Sequence, residues 1–329
     1  MSHYRVYGLS IRTDRAIPGI LEVEDDAAVD VQVWFDDPAR DPSLRPGAET
    51  WSQHPRYINH RINTGYGEVL PGLRLFASPD GAYTRLHYAE DVIFTVDAGA
   101  RQVYVQAPVG MSMESVCAYL LNPVLAFCLR VRGQTGLHAS AIAVNHEAII
   151  FAAPSGSGKS TLAYEFARRG HTVLTDDVSV LVDLNGQIGV QPGYPHVRLW
   201  PWTVDELLGD ETALPLIAPD WNKRFLDLRG DRYRFADKPL PVSAVFLIDP
   251  YGSALEIKPM APKLALMALM DNTYLNYMID NAMRGDDFRW LARLTTQAPV
   301  YTLTRPSDMT RLPDLYEAVL HRLAVPSGV

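Results

Sequence analysis

Seven residues near the middle of the chain, Ser155-Gly-Ser-Gly-Lys-Ser-Thr161, lie between an apolar run, EAIIFAA, and an amphipathic one, TLAYEFARR. Glycine at 156 and 158 lets successive backbone N–H groups curl inward to form an anion nest. A helix starting at this point adds the positive end of its dipole. Lys159 then reaches the outer phosphates of a nucleotide, and the Ser160 hydroxyl is a ligand for Mg²⁺. The full phosphate-loop pattern is G-x-x-x-x-G-K-[ST], and Ala153 stands where its first glycine belongs. Alanine costs little there if the residue is extended, and Pro154 removes an N–H early in the loop. Ser155, Gly156, Ser157, Gly158, Lys159, Ser160 and Thr161 are therefore the expected contacts of a nucleotide, with Mg²⁺ beside its phosphates.

The residues after the turn fit a mononucleotide-binding unit. Leu162, Ala163, Phe166 and Ala167 form one helical stripe, and Gly170 is placed to end the helix. Residues 172–175, TVLT, read as a strand beside the one that enters the turn. Asp176 and Asp177 stand at its C-terminal end, where open α/β sheets collect ligands. Phosphoryl transfer needs a metal on the phosphates and a group that orients or deprotonates the acceptor. Two adjacent carboxylates can divide those tasks. Asp249, closing the apolar run AVFLID, is a second candidate for the metal.

The 329 residues allow one large domain or two ordinary ones. A net charge of −8 disfavours nucleic acid or an anionic membrane as a bulk partner. Cys117 and Cys128 fall eleven positions apart on one expected helix, roughly 16 Å along its axis, too far for a disulfide. The first fifteen residues show no apolar core of a secretion signal. The apolar run around Cys117–Leu129 is interrupted by Asn122 and Pro123 and is shorter than a membrane span. The expected location is cytoplasmic. No Cys or His spacing suggests zinc.

Residues 4–108 alternate as strands, with turns at Asp80-Gly81 and Asp97-Gly99. The proline-rich stretch 36–56 reads as a loop. Residues 112–131 read as a helix capped by Ser112. The expected organisation is a β-rich domain over 1–110, a linking helix over 111–134 and an α/β phosphate-loop domain over 135–329. In the last, 242–250 and 299–305 read as strands, and helices are expected within 262–297 and over 312–323.

The segment from His138 to Asp177, LHASAIAVNHEAIIFAAPSGSGKSTLAYEFARRGHTVLTDD with its leading leucine, resembles the catalytic core of the HPr kinase/phosphorylase family. The shared features are a histidine, a strand, a phosphate loop ending in G-K-S, a helix ending in R-G-H and an aspartate doublet. The chain is closest in pattern to the HPr-kinase-related serine kinases of ribosomal (lasso) peptide biosynthesis, through SGSGKSTLA, RLWPW and KRFLDL. The resemblance implies a kinase core of the HPr kinase/carboxykinase type and ATP rather than GTP. It also implies a serine on a peptide or protein as acceptor. It makes Asp176 the general base, Asp177 its partner at the metal, and His138 the residue that orients the carboxylate. Homo-oligomers are known in the family, so assembly of this chain stays open. Ala139 replaces the glycine after the family histidine. The arginine-bearing C-terminal signature tied to dephosphorylation is missing, so another cation should stabilise the transferring phosphoryl group. Lys223 and Arg224, an adjacent pair among aromatics, and Arg198 are the candidates, with Arg224 assigned to catalysis. Two other readings stay open: a small-molecule or carboxykinase-like enzyme, and a non-catalytic nucleotide- or peptide-binding module.

Overall fold

The computed structural model describes residues 1–24, 28–35, 56–59, 72–88, 90–219, 221–278 and 280–324. The loop expected over 36–56 lies outside them, apart from Arg56. The chain is mixed α/β and divides into two compact units, Met1–Arg132 and Gly133–Val329.

In the first unit, eight strands form one sheet. They are β1 (Ser2–Val6), β2 (Leu9–Thr13), β3 (Val31–Phe35), β4 (Tyr57–Asn59), β5 (Leu73–Ala77), β6 (Tyr83–Tyr88), β7 (Ile93–Asp97) and β8 (Gln102–Gln106), in spatial order 1-2-3-8-7-6-5-4. β3 runs parallel to both of its neighbours, and all other pairs are antiparallel. Alternation places Val33, Phe94, Val96 and Val103 in the core. The helical segment beyond the sheet, α1 (Met113–Tyr119) and α2 (Leu125–Val131), is joined by a π-helical turn over Leu120–Val124. Ser112 caps α1, its side chain accepting the Ser115 N–H. Pro123 has no N–H and cannot join the i→i−4 ladder, so the ladder widens there rather than breaking. The interruption expected from the sequence is thus absorbed. Met113–Val131 is long and apolar enough to cross a membrane by length and composition, and 83% of its apolar window is buried. Cys117 and Cys128 are free and buried, and burial pushes both thiols up to about 12.

The second unit begins with a hairpin. β9 (Gly136–Val144) and β10 (Glu147–Ala152) turn at Asn145 and His146, both with positive φ as a two-residue hairpin loop demands. Then come α3 (Lys159–Arg168), β11 (Thr172–Thr175), β12 (Val178–Leu184) and β13 (Gln187–Val190). β14 (His196–Leu199), α4 (Pro201–Leu208), β15 (Arg224–Asp227), β16 (Arg234–Phe235) and β17 (Leu240–Asp249) come next. The chain finishes through β18 (Glu256–Pro259), α5 (Pro262–Asp271), α6 (Asn281–Gln297), β19 (Val300–Thr304) and α7 (Leu312–Ala324). β10 lies between β9 and β17, with β19 parallel beyond β17. Pairings β9–β10–β17–β13–β12–β9 close on themselves, a five-strand barrel. Alternate residues of β10 face opposite layers. Ile149 and Phe151 pack with α3 and α7, whereas Ala148, Ile150 and Ala152 pack with α5 and α6.

One expectation about topology is corrected. β11 does not lie beside β10, because β9 runs between them. β10 and β11 each use one edge of β9, and the chain continues past the aspartates into β12 along that same edge. Asp176 and Asp177 therefore occupy a break within an antiparallel ladder rather than a free strand tip. Two strand spacings still separate the doublet from β10 by only about 10 Å. Ala139 is the residue between: it pairs with Ala152 on one side and donates its N–H to the Asp177 carbonyl on the other.

Candidate functional site

The turn after β10 has the backbone its sequence requires. Gly156 and Gly158 have φ of 81° and 99°, and Gly158 begins α3. A Cβ on Gly158 would lie 2.6 Å from the Arg305 guanidinium, which would have to shift, and the φ of 99° itself favours glycine there. Ala153 is absent from the residues with positive φ, which explains why the first glycine of the pattern is dispensable. Lys159 is buried, and its ammonium donates to the carbonyls of Ala153 at 2.9 Å and Pro154 at 3.0 Å. Burial lowers its pKa to about 8, against the pull of Asp177 and Asp176.

Ser160, in the first turn of α3, points across β9 to the doublet. Its hydroxyl donates to Asp176 Oδ1 at 3.0 Å. The same oxygen accepts the Ser140 hydroxyl at 2.5 Å, and Asp176 Oδ2 accepts the Arg198 N–H at 2.8 Å. Asp176 is only 3% exposed. Burial, and then the charge of Asp177, raise its pKa against those three hydrogen bonds.

Asp177 faces a different set. Its φ of 75° is unusual for a residue with a Cβ and is the kind of strain that recurs at functional sites. His138 Nε2 lies 3.2 Å from Oδ1, and Arg198 lies 3.9 Å from Oδ2. Its side chain is 21% exposed. Burial alone would raise its pKa, but the His138 hydrogen bond and the nearby His138, Lys223 and Arg198 hold it well below the usual carboxylate range. Burial lowers the pKa of His138, so the neutral ring donates its Nε2–H to the carboxylate. The Tyr274 ring stands edge-on to His138, 5.8 Å between centroids.

The stretches RLWPW and KRFLDL meet here. β14 and β15 pair antiparallel with Leu199 opposite Arg224, which brings Lys223 over the Trp200 ring at 4.4 Å. Lys223 is then close enough to act on Asp177, His138 and Lys159. Arg224, one position on, turns away and donates to the Leu214 carbonyl at 2.8 Å. Asp249 ends β17 with its carboxylate accepting the Tyr251 N–H at 3.1 Å, as a turn aspartate does. The structure thus gathers Lys159, Ser160, Asp176, Asp177, His138, Arg198 and Lys223, while Arg224 and Asp249 make these contacts elsewhere.

Two participants escape a reading of the sequence. Ser140 is two residues from His138 on the same strand face, and that period of two was a legible signal. Arg305 comes directly after β19 and donates to the Ser157 carbonyl at 3.0 Å. Nothing local marks it, because only the strand order brings it to the loop.

Among the described residues, no cluster of three or more His, Cys, Asp or Glu side chains could hold a metal. The hydroxyl of Ser160 and the carboxylate of Asp176 are nevertheless the hard oxygen donors that suit Mg²⁺, which takes few protein ligands and completes its shell with phosphate and water.

No family model matches the sequence. No curated protein matches it either. Comparison with solved structures finds similarity to the HPr(Ser) kinase/phosphatase from Coxiella burnetii, at 13% identity and a TM-score of 0.30, over 57% of this chain and 96% of that one.

Proposed function

We propose that the Gly133–Val329 unit binds Mg·ATP in the 155–161 loop and transfers its γ-phosphoryl group to a hydroxyl, that of a serine on a peptide or protein. The observation that carries the reading is the 3.0 Å contact between Ser160 and Asp176. It joins the phosphate loop to the doublet across an intervening strand, so a single triphosphate would meet both. The acceptor class rests on the sequence resemblance alone.

The geometry favours exchanging the roles the resemblance gave the two aspartates. Asp176 is buried and tied to Ser160, which suits the metal side. Mg²⁺ held by Ser160 and Asp176 would neutralise charge on the phosphates. Asp177 is the more open carboxylate, oriented by His138, and suits the acceptor side. In the transfer, the acceptor oxygen bonds to the γ-phosphorus as the bond to the β,γ-bridging oxygen breaks. The hydroxyl proton passes to Asp177. Phosphoryl transfer asks chiefly for positioning and charge stabilisation, so an ionised carboxylate of low basicity is adequate. Lys159, Lys223 and Arg198 supply the positive field around the transferring group.

The test is incubation with γ-labelled ATP, Mg²⁺ and serine-containing peptides. Label on serine that requires Mg²⁺ and disappears in Asp177→Asn, with ATP binding kept, is the expected result. Retained turnover in Asp177→Asn contradicts the base assignment. Bound ATP with no labelled hydroxyl contradicts the kinase reading.

A further inference from the structure

Lys223 is held unlike the other cations of the site. Lys159 donates to backbone carbonyls and Arg198 faces Asp177. The Lys223 ammonium instead lies 4.4 Å from the centre of the Trp200 ring. Among the described residues it meets no carboxylate and no hydrogen-bond acceptor. Two cations elsewhere over rings differ: Arg169 over Tyr316 also pairs with Glu165, and Arg293 over Trp290 also pairs with Asp183. A carboxylate partner partly neutralises a cation and occupies its N–H groups. An aromatic face attracts the cation through its quadrupole and leaves both available. We infer that Trp200 is a positioning residue, holding the Lys223 ammonium without a counter-ion beside Asp177, where it donates to an oxygen of the transferring phosphoryl group. The inference deepens the kinase reading proposed above and rests on it.

The chain builds the ring into place. Trp200 continues β14 in extended backbone, φ −74° and ψ 150°, and stands at the N-cap of α4. Pro201 follows at the start of the helix and restricts the residue before it to that conformation. Alternation along the run puts Trp200 on the side of Arg198, which reaches Asp177 at 3.9 Å. Trp202 stacks on Trp200, 4.8 Å between centroids and 14° between planes, which limits rotation of the ring. Lys223 is set from the partner strand. Leu199 pairs with Arg224, and the Lys223 carbonyl accepts the Ile217 N–H at 3.0 Å. Its charge acts on Asp177, His138 and Lys159, the groups on both sides of the proposed transfer. The stretches RLWPW and KRFLDL thus share one task, the first supplying the ring and the second the ammonium.

The experiment measures kcat and KM for Mg·ATP, with γ-labelled ATP and serine-containing peptides. It uses wild type, Trp200→Leu, Trp200→Phe, Lys223→Met and the double variant Trp200→Leu/Lys223→Met. Lys223→Met should lower kcat by about 10²-fold, as loss of one preorganised donor does. Trp200→Leu should lower kcat by about tenfold or more, while KM for Mg·ATP changes less than about threefold. Trp200→Phe keeps a ring face and should recover to within about fivefold of wild type. The double variant should be no slower than Lys223→Met, because the ring acts only through the ammonium. Multiplied losses in the double variant, an unchanged kcat in Trp200→Leu, or a Trp200→Phe as slow as Trp200→Leu overturns the positioning role and leaves the kinase reading standing. If Trp200→Leu does not fold, the other single variants decide. A slow Lys223→Met beside an active Trp200→Phe supports the role, and a Lys223→Met at wild-type kcat or a slow Trp200→Phe overturns it. If wild type transfers no label, the kinase reading itself falls and the positioning role falls with it.

Discussion

The two units bury different things. Among the described residues of Met1–Arg132, Arg130 is the one charged side chain that is fully buried, and the remaining buried polar groups are hydroxyls and amides such as Thr13, Gln32 and Asn122. Gly133–Val329 buries Lys159, Glu165, Asp176, Arg198 and Asp287. Burying an ion costs free energy unless it is paired and hydrogen-bonded. Two of these five have local explanations. Glu165 pairs with Arg168 and Arg169, and Asp287 accepts the Thr135 hydroxyl. Lys159, Asp176 and Arg198 converge on one place, and two of them carry shifted pKa values there. The first unit is thus organised by packing and the second by a site, and the contrast can be tested.

The largest effect should come from the site. Asp177→Asn should lower phosphoryl transfer by roughly 10²–10⁴-fold, the usual contribution of a positioned proton acceptor, with nucleotide binding kept. Rates with labelled ATP measure it, and a loss below tenfold would move the chemistry away from this carboxylate. In the first unit, Phe94→Ala should cost about 3–5 kcal/mol of stability, as expected for emptying a fully buried aromatic site. At temperatures where the variant stays folded, its affinity for Mg·ATP should match wild type. A changed affinity would break the contrast.

A third effect is smaller and concerns pH. Lys159 titrates at about 8 in the free protein, and only its charged form attracts phosphate. The ratio of wild-type to Lys159→Ala affinity for tripolyphosphate, which cancels the ligand's own titration at about pH 6, should hold up to pH 7 and then fall by up to about tenfold per unit above pH 8. Titration of both proteins across that range checks it. The smallest effect concerns Asp176. Its folded pKa is raised, so the folded state holds its proton more tightly than the unfolded chain. Stability from this group is complete below the unfolded value of about 3.9 and is lost as pH rises toward the folded value. Asp176→Asn escapes that loss. Its melting temperature at pH 7 should equal or exceed that of wild type, and the difference should shrink by pH 4. A large destabilisation at pH 7 would mean that the charge is fully compensated in the free protein.

Much of the second unit could be read from local signals. The β9–β10 hairpin at Asn145-His146, the glycine turn, α3 ending at Gly170, and the strand 300–304 each arise from short-range patterns. The strand order did not. Nothing in the sequence said that β9 would insert between β10 and β11, since pairing is decided by distant residues. Choosing between Lys223 and Arg224 failed for a related reason: Arg224 is the first residue of β15 and Lys223 stands just before it, and which of them turns toward the site depends on the pairing with β14. The π-turn at Pro123 was unreadable because an interior proline usually ends a helix. Arg305 was invisible because it carries no motif of its own.

Everything at the site turns on Ser160 and Asp176 acting together on one metal–triphosphate. A double-mutant cycle tests this directly: the gain in ATP affinity on adding Mg²⁺ is measured for wild type, Ser160→Ala, Asp176→Asn and the double variant. Each single substitution should remove most of the gain, and the double variant should lose little more, a coupling on the order of 0.5–3 kcal/mol. Additive losses, or a full Mg²⁺ effect in either single variant, would contradict a shared metal.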